Sequence, residues 1–499
     1  MELLSLSFLI FLPLIGAGII FGPWFPQNEV KIRRFAKGFA GFIFIYSLFF
    51  IGLFDPLVKG FQFEETVPWI TRVGINYSVA VDGISVIMIV LTTFLVLLAM
   101  IASKYSITKR HKLYYSLIFI LQTAILGVFV AKDLFLFILF WEIELIPMFF
   151  LISIWGTGRK EYSAMKFILY TFGGSIFMVA AILAIVFFNM TQTGAITFDL
   201  NKYTYMKDVI YPTTFGILTF IGFFLAFAVK LPVVPFHTWL PDAHVDAPTP
   251  VSMLLAGILL KMGGYGLIRM NLQILPEIME ILAPIVVVLG VINIIYAAIV
   301  ALAQKDLKKL VAYSSASHMG IVLLGLGAMN ISGVSGAVFQ MIAHGIISAG
   351  LFMIVGMIYL RTHTREISEL GGLGQNASKM MYLSMIIALA SLGLPLLIGF
   401  VAETLTFYGA FISYTENIQI MTVIAAIGVI FTAVYILWMF QRIFFGNIFD
   451  KWAHFTDATP HELVILISLV LAIVVFGVNP SGLTNIFVPT VKNVMNLGV

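Results

Sequence analysis

Cysteine is absent from the 499 residues, which removes disulfides, thiolate metal sites and cysteine-ligated iron–sulfur clusters. Any electron transfer linked to this chain must therefore take place in another chain. Charge is scarce as well: only 10% of residues are Asp, Glu, Lys or Arg, against 61% hydrophobic ones. So low a charge content excludes an ordinary soluble domain and a nucleic-acid-binding surface. No stretch between apolar runs is long enough for a soluble domain, so the chain reads as a single membrane domain, 1–499.

What the sequence has in place of charge is apolar runs of about twenty residues, repeated from end to end. A β-barrel would show short alternating segments, not runs such as "ELVILISLVLAIVVFGV" (462–478). The expected fold is therefore all-α and polytopic, with about fourteen transmembrane helices. The opening "MELLSLSFLIFLPLIGAGIIFGPWF" has no basic leading segment and no small-residue cleavage site, and reads as the first span. Lys and Arg crowd the loops after odd-numbered spans, for example Lys31, Arg33, Lys104, Lys109, Arg159, Lys305 and Arg361. By the positive-inside rule those loops are cytoplasmic and both termini lie on the other side.

Two spans are broken by Pro and Gly, the seventh at "KLPVVPF" (230–236) and the twelfth at "GLPLLIGF" (393–400). Each break frees backbone groups that only protein or a wet cavity can satisfy at membrane depth. The odd offset of five spans means that the two broken helices cross in opposite directions, as an inverted repeat of two five-helix units would require. The repeats would be 113–270 (helices 4–8) and 279–441 (helices 9–13), flanked by helices in 1–102 and 462–499. Membrane helices also carry Pro and Gly without any repeat, so the breaks alone leave both readings open.

Charges inside spans are costly and mark functional positions. Lys261 lies ten residues into its run, ~15 Å deep, too far for its stem to reach the interface. Glu142, in "FWEIELIP", is ~12 Å deep, and its neighbour Glu144 is either a partner or a cavity-facing duplicate. Glu403 follows the second break, and Lys230 precedes the first, where snorkelling and a functional role are both open. Burial disfavours the charged form of such groups and an approaching opposite charge restores it. A Glu142–Lys230 pair that opens and closes would thus switch the lysine between releasing and holding a proton. His237, His318 and His344 add groups that titrate near neutral pH, each open to a structural reading or a relay reading.

Several stretches resemble one family: "AFAVKLPVVPFHTWLPDAHVDAPTPVSMLLAGILLKMGGYGLIR" (226–269), "DLKKLVAYSSASHMG" (306–320), "HGIISAGLF" (344–352), "RTHTREISELGGL" (361–373) and "VDGISV" (81–86). These are similar to the antiporter-like membrane subunits of the proton-pumping NADH:quinone oxidoreductase, respiratory complex I, over nearly the whole chain. The resemblance implies fourteen helices with inverted five-helix repeats. It also implies roles for Glu142, Lys230, Lys261 and His344, which match the family's ionisable residues of spans five, seven, eight and eleven. Glu403 stands where other members of the family carry lysine, as in the M, or chain 4, type. Leucine occupies the glycine position of an "LPG" pattern in the second break, which puts the shape of that break in question. "WEIELIP" and 54–70 look closer to the cyanobacterial and plastid members.

The reading that follows is a proton-translocating membrane-arm subunit of an NADH (or ferredoxin):quinone oxidoreductase, driven by quinone reduction elsewhere. Protons would be taken up from the cytoplasmic side near His237 and His318, load Lys230, pass Lys261 and His344 and leave through Glu403. Glu142 would set the proton affinity of Lys230, with Glu144 in support. No cofactor or metal is expected in this chain; NAD(P)H or ferredoxin, FMN, iron–sulfur clusters and quinone belong to partner subunits. Neighbouring antiporter-like subunits and lipid are the expected partners, in a bacterial plasma membrane or a thylakoid-type membrane. The rivals are an Mrp-type sodium/proton antiporter subunit, a purely structural arm subunit, and a chain that holds quinone beside its broken helices.

Overall fold

The computed structural model describes residues 5–205, 211–415 and 417–495. Among them, twelve helices are long and apolar enough to cross a membrane, and three shorter apolar helices, Leu6–Phe21, Ser378–Ser391 and Ile398–Phe411, accompany them. The last two are the halves of the span expected to break at 393–400. Aspartates start several of the long helices. Asp82 accepts from the backbone N–H of Ile84 and Ser85 (3.1 and 3.0 Å), and Asp133 and Asp306 do the same for Leu134–Ile143 and Leu307–Gly327.

The helices Thr249–Leu272 and Ile331–Thr362 are buried throughout their apolar windows and form the centre of the bundle. Ile331–Thr362 packs on Thr249–Leu254, Leu307–Gly327 and Ile398–Phe411. The crossing of the two central helices is set by glycines. A Cβ on Gly345 would lie 2.8 Å from the carbonyl oxygen of Gly257, so the backbones approach as only small residues permit. Lys261 and His344 flank this crossing.

The seventh span ends as a helix at Lys230 (Thr213–Lys230) and resumes as Trp239–Asp246. Asn293, from the neighbouring helix Pro276–Leu302, satisfies the backbone freed between them. Its Oδ1 accepts from Val234 N–H (2.8 Å), and its Nδ2 donates to the carbonyls of Pro232 (3.3 Å) and Ala316 (2.8 Å). The central span Thr249–Leu272 carries two π-helical turns, Leu255–Leu259 and Leu267–Leu272, on either side of Leu260–Gly266.

Three features differ from the sequence reading. The fifth span, expected as continuous helix, is interrupted at Glu144 between Leu134–Ile143 and Leu145–Trp155. Pro147 accounts for it, because a proline ring clashes with the carbonyl four residues earlier, here that of Ile143. The region 55–78, read as a connection, holds most of an antiparallel hairpin, Gln62–Ile70 with Ile75–Val81, a small addition to a fold that is otherwise helical as expected. Its turn closes at Gly74, with φ at 70°. After the last span, Ser481–Val494 forms a further helix, anchored where Thr490 accepts from Gly83 N–H at 2.9 Å.

Candidate functional site

Lys230 is the last residue of its half-helix and only 1% exposed. A helix C-terminus favours a cation, and the broken backbone beyond it leaves room for the ammonium. That ammonium is paired with Oε1 of Glu144, which is fully buried. It also lies over the rings of Trp141 (5.3 Å to the centroid) and Phe167 (5.5 Å). The direct partner is thus Glu144, whereas the sequence reading pairs Lys230 with Glu142. Two residues correspond to about 200° of helix rotation, which separates the two carboxylates. Glu142 is partly buried beside Ser175 and still within the field of Lys230.

Lys261 donates to the carbonyl of Ala256, inside the first π-helical turn, and its Nζ lies 2.6 Å from Nδ1 of His344. Both residues are buried, and no ion pair joins Lys261 to a carboxylate among the described residues. The ring of His318 lies 5.5 Å from that of His344, centroid to centroid. Its two nitrogens face carbonyl oxygens, Nδ1 that of Ser314 (2.8 Å) and Nε2 that of Ser391 (2.9 Å). A neutral imidazole has one N–H, so both contacts become hydrogen bonds only when both nitrogens carry hydrogen. Ser391 ends the helix before the second break, so that break supplies one of the two acceptors. His318 therefore sits in the middle of the row and joins His344 to the second break.

Glu403 lies behind that break, on Ile398–Phe411, with its carboxylate against Gly393. Gly393 has φ at 73° and Leu396 has φ at 71°. The leucine that replaces the pattern's glycine thus keeps a left-handed conformation that glycine adopts freely. His237 is buried with its ring edge toward Tyr296 (5.5 Å) and Tyr313 (6.1 Å). Asp242, on the half-helix that follows it, pairs at 2.7 Å with Lys166 of the helix Lys160–Thr193.

Several buried polar residues are not legible as such in the sequence. His244 is fully buried, stacked on Phe352 at 4.3 Å, with neither ring nitrogen bonded to a described protein group. Lys308 reads as a loop charge, yet it is buried, donates to the carbonyl of Ala247 (2.5 Å), and lines a cavity of about 190 Å³ with Arg365, His363 and Tyr105. Arg269 also reads as a loop charge; it is buried and pairs with Asp82 at 2.5 Å. Tyr435 is fully buried and donates to Ser314 Oγ at 2.9 Å. Position near the end of an apolar run suggested exposure for Lys308 and Arg269, and only packing reverses it.

The family described as NADH:quinone oxidoreductase/Mrp antiporter, TM, matches residues 131–432, and NADH-ubiquinone oxidoreductase chain 4, amino terminus, matches residues 42–128. The NAD(P)H-quinone oxidoreductase chain 4 of Prochlorococcus marinus is 42% identical over 501 residues, covering 98% of this chain and 91% of its own length. A second relative, NAD(P)H-quinone oxidoreductase chain 4 2 of Thermosynechococcus vestitus, is 44% identical over 492 residues, covering 97% and 90%. Among solved structures, a chain of respiratory complex I from Thermus thermophilus is similar with a TM-score of 0.88 and 28% identity, covering 99% of both chains. A chain of the Mrp complex from Dietzia sp. shares the fold alone, with a TM-score of 0.84 and 21% identity over 98% of this chain and 52% of that one.

Proposed function

The chain belongs to the family of NADH:quinone oxidoreductase/Mrp antiporter membrane subunits, and from that membership we propose a proton-translocating membrane-arm subunit of chain 4 type in an NAD(P)H:quinone oxidoreductase. Electron carriers and quinone would then bind partner subunits, with a nicotinamide or ferredoxin as donor. The chain's own part is to move protons through an apolar interior as quinone is reduced elsewhere. The host membrane would be a plasma membrane or a thylakoid-type membrane, with both termini away from the cytoplasm. Residues 113–270 and 279–441 would act as two inverted half-channels joined at the central helices.

One observation carries the reading. Lys261 and His344 form a buried donor–acceptor contact of 2.6 Å between the two central helices, and among the described residues no carboxylate pairs with the lysine. An unpaired ammonium is costly in such surroundings, and handing its proton to Nδ1 of His344 removes that cost from the lysine. The paired Lys230 provides the control. While Glu144 holds it, its charge is compensated; when the pair opens, the bare cation repels positive charge on Lys261 and drives the proton onward. His344, His318 and Glu403 would accept it in turn. Glu142, within the field of Lys230, is the second carboxylate toward which that ammonium can move, and His237 stands on the uptake side.

Lys261→Ala in the assembled complex, reconstituted in vesicles, is the direct test. Quinone reduction accompanied by fewer protons moved per quinone is expected; an unchanged ratio would sink the role of Lys261. The antiporter reading is separated by purification. Isolation with iron–sulfur and quinone-reducing subunits supports the present reading, and isolation only with antiporter chains supports the other.

A further inference from the structure

A cavity of about 190 Å³ opens among the ends of three helices, where Thr249–Leu272 and Leu307–Gly327 begin and Ile331–Thr362 finishes. Lys308, Arg365, His363, Tyr105 and Ser106 line it, and among the described residues no carboxylate does. Lys308 is 5% exposed, and its Nζ has one protein partner, the carbonyl of Ala247 at 2.5 Å. Two of its three N–H groups are therefore free of protein acceptors. Arg365 gives Nη1 to the carbonyl of Val245 (2.6 Å) and Nε to Asp306 (3.3 Å), while Nη2 has no hydrogen bond to a described residue. The two carboxylates whose fields reach Lys308 are engaged elsewhere. Asp306 holds Arg365 and caps its own helix through the N–H groups of Lys308 (2.8 Å) and Lys309 (3.0 Å), and Asp246 accepts from Ser163 (2.5 Å). A buried ammonium bonded only to a carbonyl lacks the counter-charge that such a group calls for.

We propose that this cavity is a binding site for one phosphate-type oxyanion, held between the Lys308 ammonium and the free Nη2 of Arg365. Lysine meets such a group as a point charge and arginine as a planar fork of donors. His363 and the hydroxyl residues Tyr105 and Ser106 supply further donors in the lining. The volume suits a phosphate group and is below that of pockets for larger ligands such as nucleotides. The phosphate comes either from solution or from a phospholipid headgroup, since the cavity lies at the ends of the spans. From either source it ties the start of Leu307–Gly327 to the segment after Ile331–Thr362.

Binding here requires no proton movement, so the test stands apart from the translocating reading. The assembled complex is kept in a neutral maltoside detergent, with or without added phosphatidylglycerol. Binding of radiolabelled inorganic phosphate is measured by equilibrium dialysis in the parent, Lys308→Met and Arg365→Gln, and the phosphatidylglycerol retained by each is quantified. Saturable phosphate binding in the parent is expected, weakened on the order of 10- to 100-fold in each variant. Phosphate binding that is indifferent to the lipid identifies the free anion as the ligand. Displacement by phosphatidylglycerol, with more lipid retained by the parent than by the variants, identifies the headgroup. Equal binding in the parent and both variants, or no saturable binding of either ligand, overturns the site. Where a variant does not assemble, a high-resolution map of the parent complex in phosphate decides: density bridging Lys308 and Arg365 supports the site, and water alone at that place overturns it.

Discussion

The ammonium of Lys230 is held by Glu144, and Glu142, two residues earlier, stands off that contact beside Ser175. The two carboxylates therefore do different work. Removing one member of a buried pair leaves an uncompensated charge, so Glu144→Gln is expected to cost about 3–5 kcal/mol of stability. Glu142→Gln should change stability by less than about 1 kcal/mol, in the range of a partly exposed ion pair, while altering proton delivery. Thermal unfolding of the purified complex carrying either variant measures both, and equal losses would contradict the division.

Leu396 holds a left-handed backbone conformation at the second break, 67% exposed and free of any packing that calls for its side chain. Leu396→Gly removes about 1–2 kcal/mol of steric cost and is expected to raise the unfolding temperature. A lower temperature would show that the leucine supports the break in some other way.

Gly393 is the counterpart three residues earlier, where a Cβ would run into the Glu403 carboxylate. Gly393→Ala is expected to displace that carboxylate and reduce protons moved per quinone, with quinone reduction itself retained. Parental coupling in this variant would mean that the position of Glu403 is not critical.

His244 has no described protein partner for either ring nitrogen, and its ring is stacked on Phe352. A buried imidazole of this kind needs water. A high-resolution map of the assembled complex should place an ordered water within hydrogen-bond distance of Nδ1 or Nε2. A dry site at well-resolved density would refute the expectation.

Arg361 grips Glu462 through two parallel bonds, Nη1 to Oε1 (3.0 Å) and Nη2 to Oε2 (2.7 Å), and so ties Ile331–Thr362 to Pro460–Val478. Lysine keeps the charge but not the planar fork. Arg361→Lys is expected to cost about 1.5–3 kcal/mol, read as a lower unfolding temperature, and an unchanged temperature would show the fork to be dispensable.

Although Glu403 is only partly buried, membrane class, the two broken spans and the identity of Lys230, Lys261 and His344 as interior polar groups were all legible in the amino-acid order. These depend on local matters: the length of an apolar run, the missing N–H of a proline, the depth of a charge within its run. Which groups meet was not legible, because the partners lie far apart in the chain. Lys230 and Glu144 are separated by 86 residues, Lys261 and His344 by 83, Tyr435 and Ser314 by 121. Rotation of each helix about its axis decides such contacts, and it is set by packing: the glycine crossing at Gly257 and Gly345 for one pair, the Pro147 interruption for another. The same holds for Lys308 and Arg269, which a sequence assigns to loops and only the surrounding helices enclose.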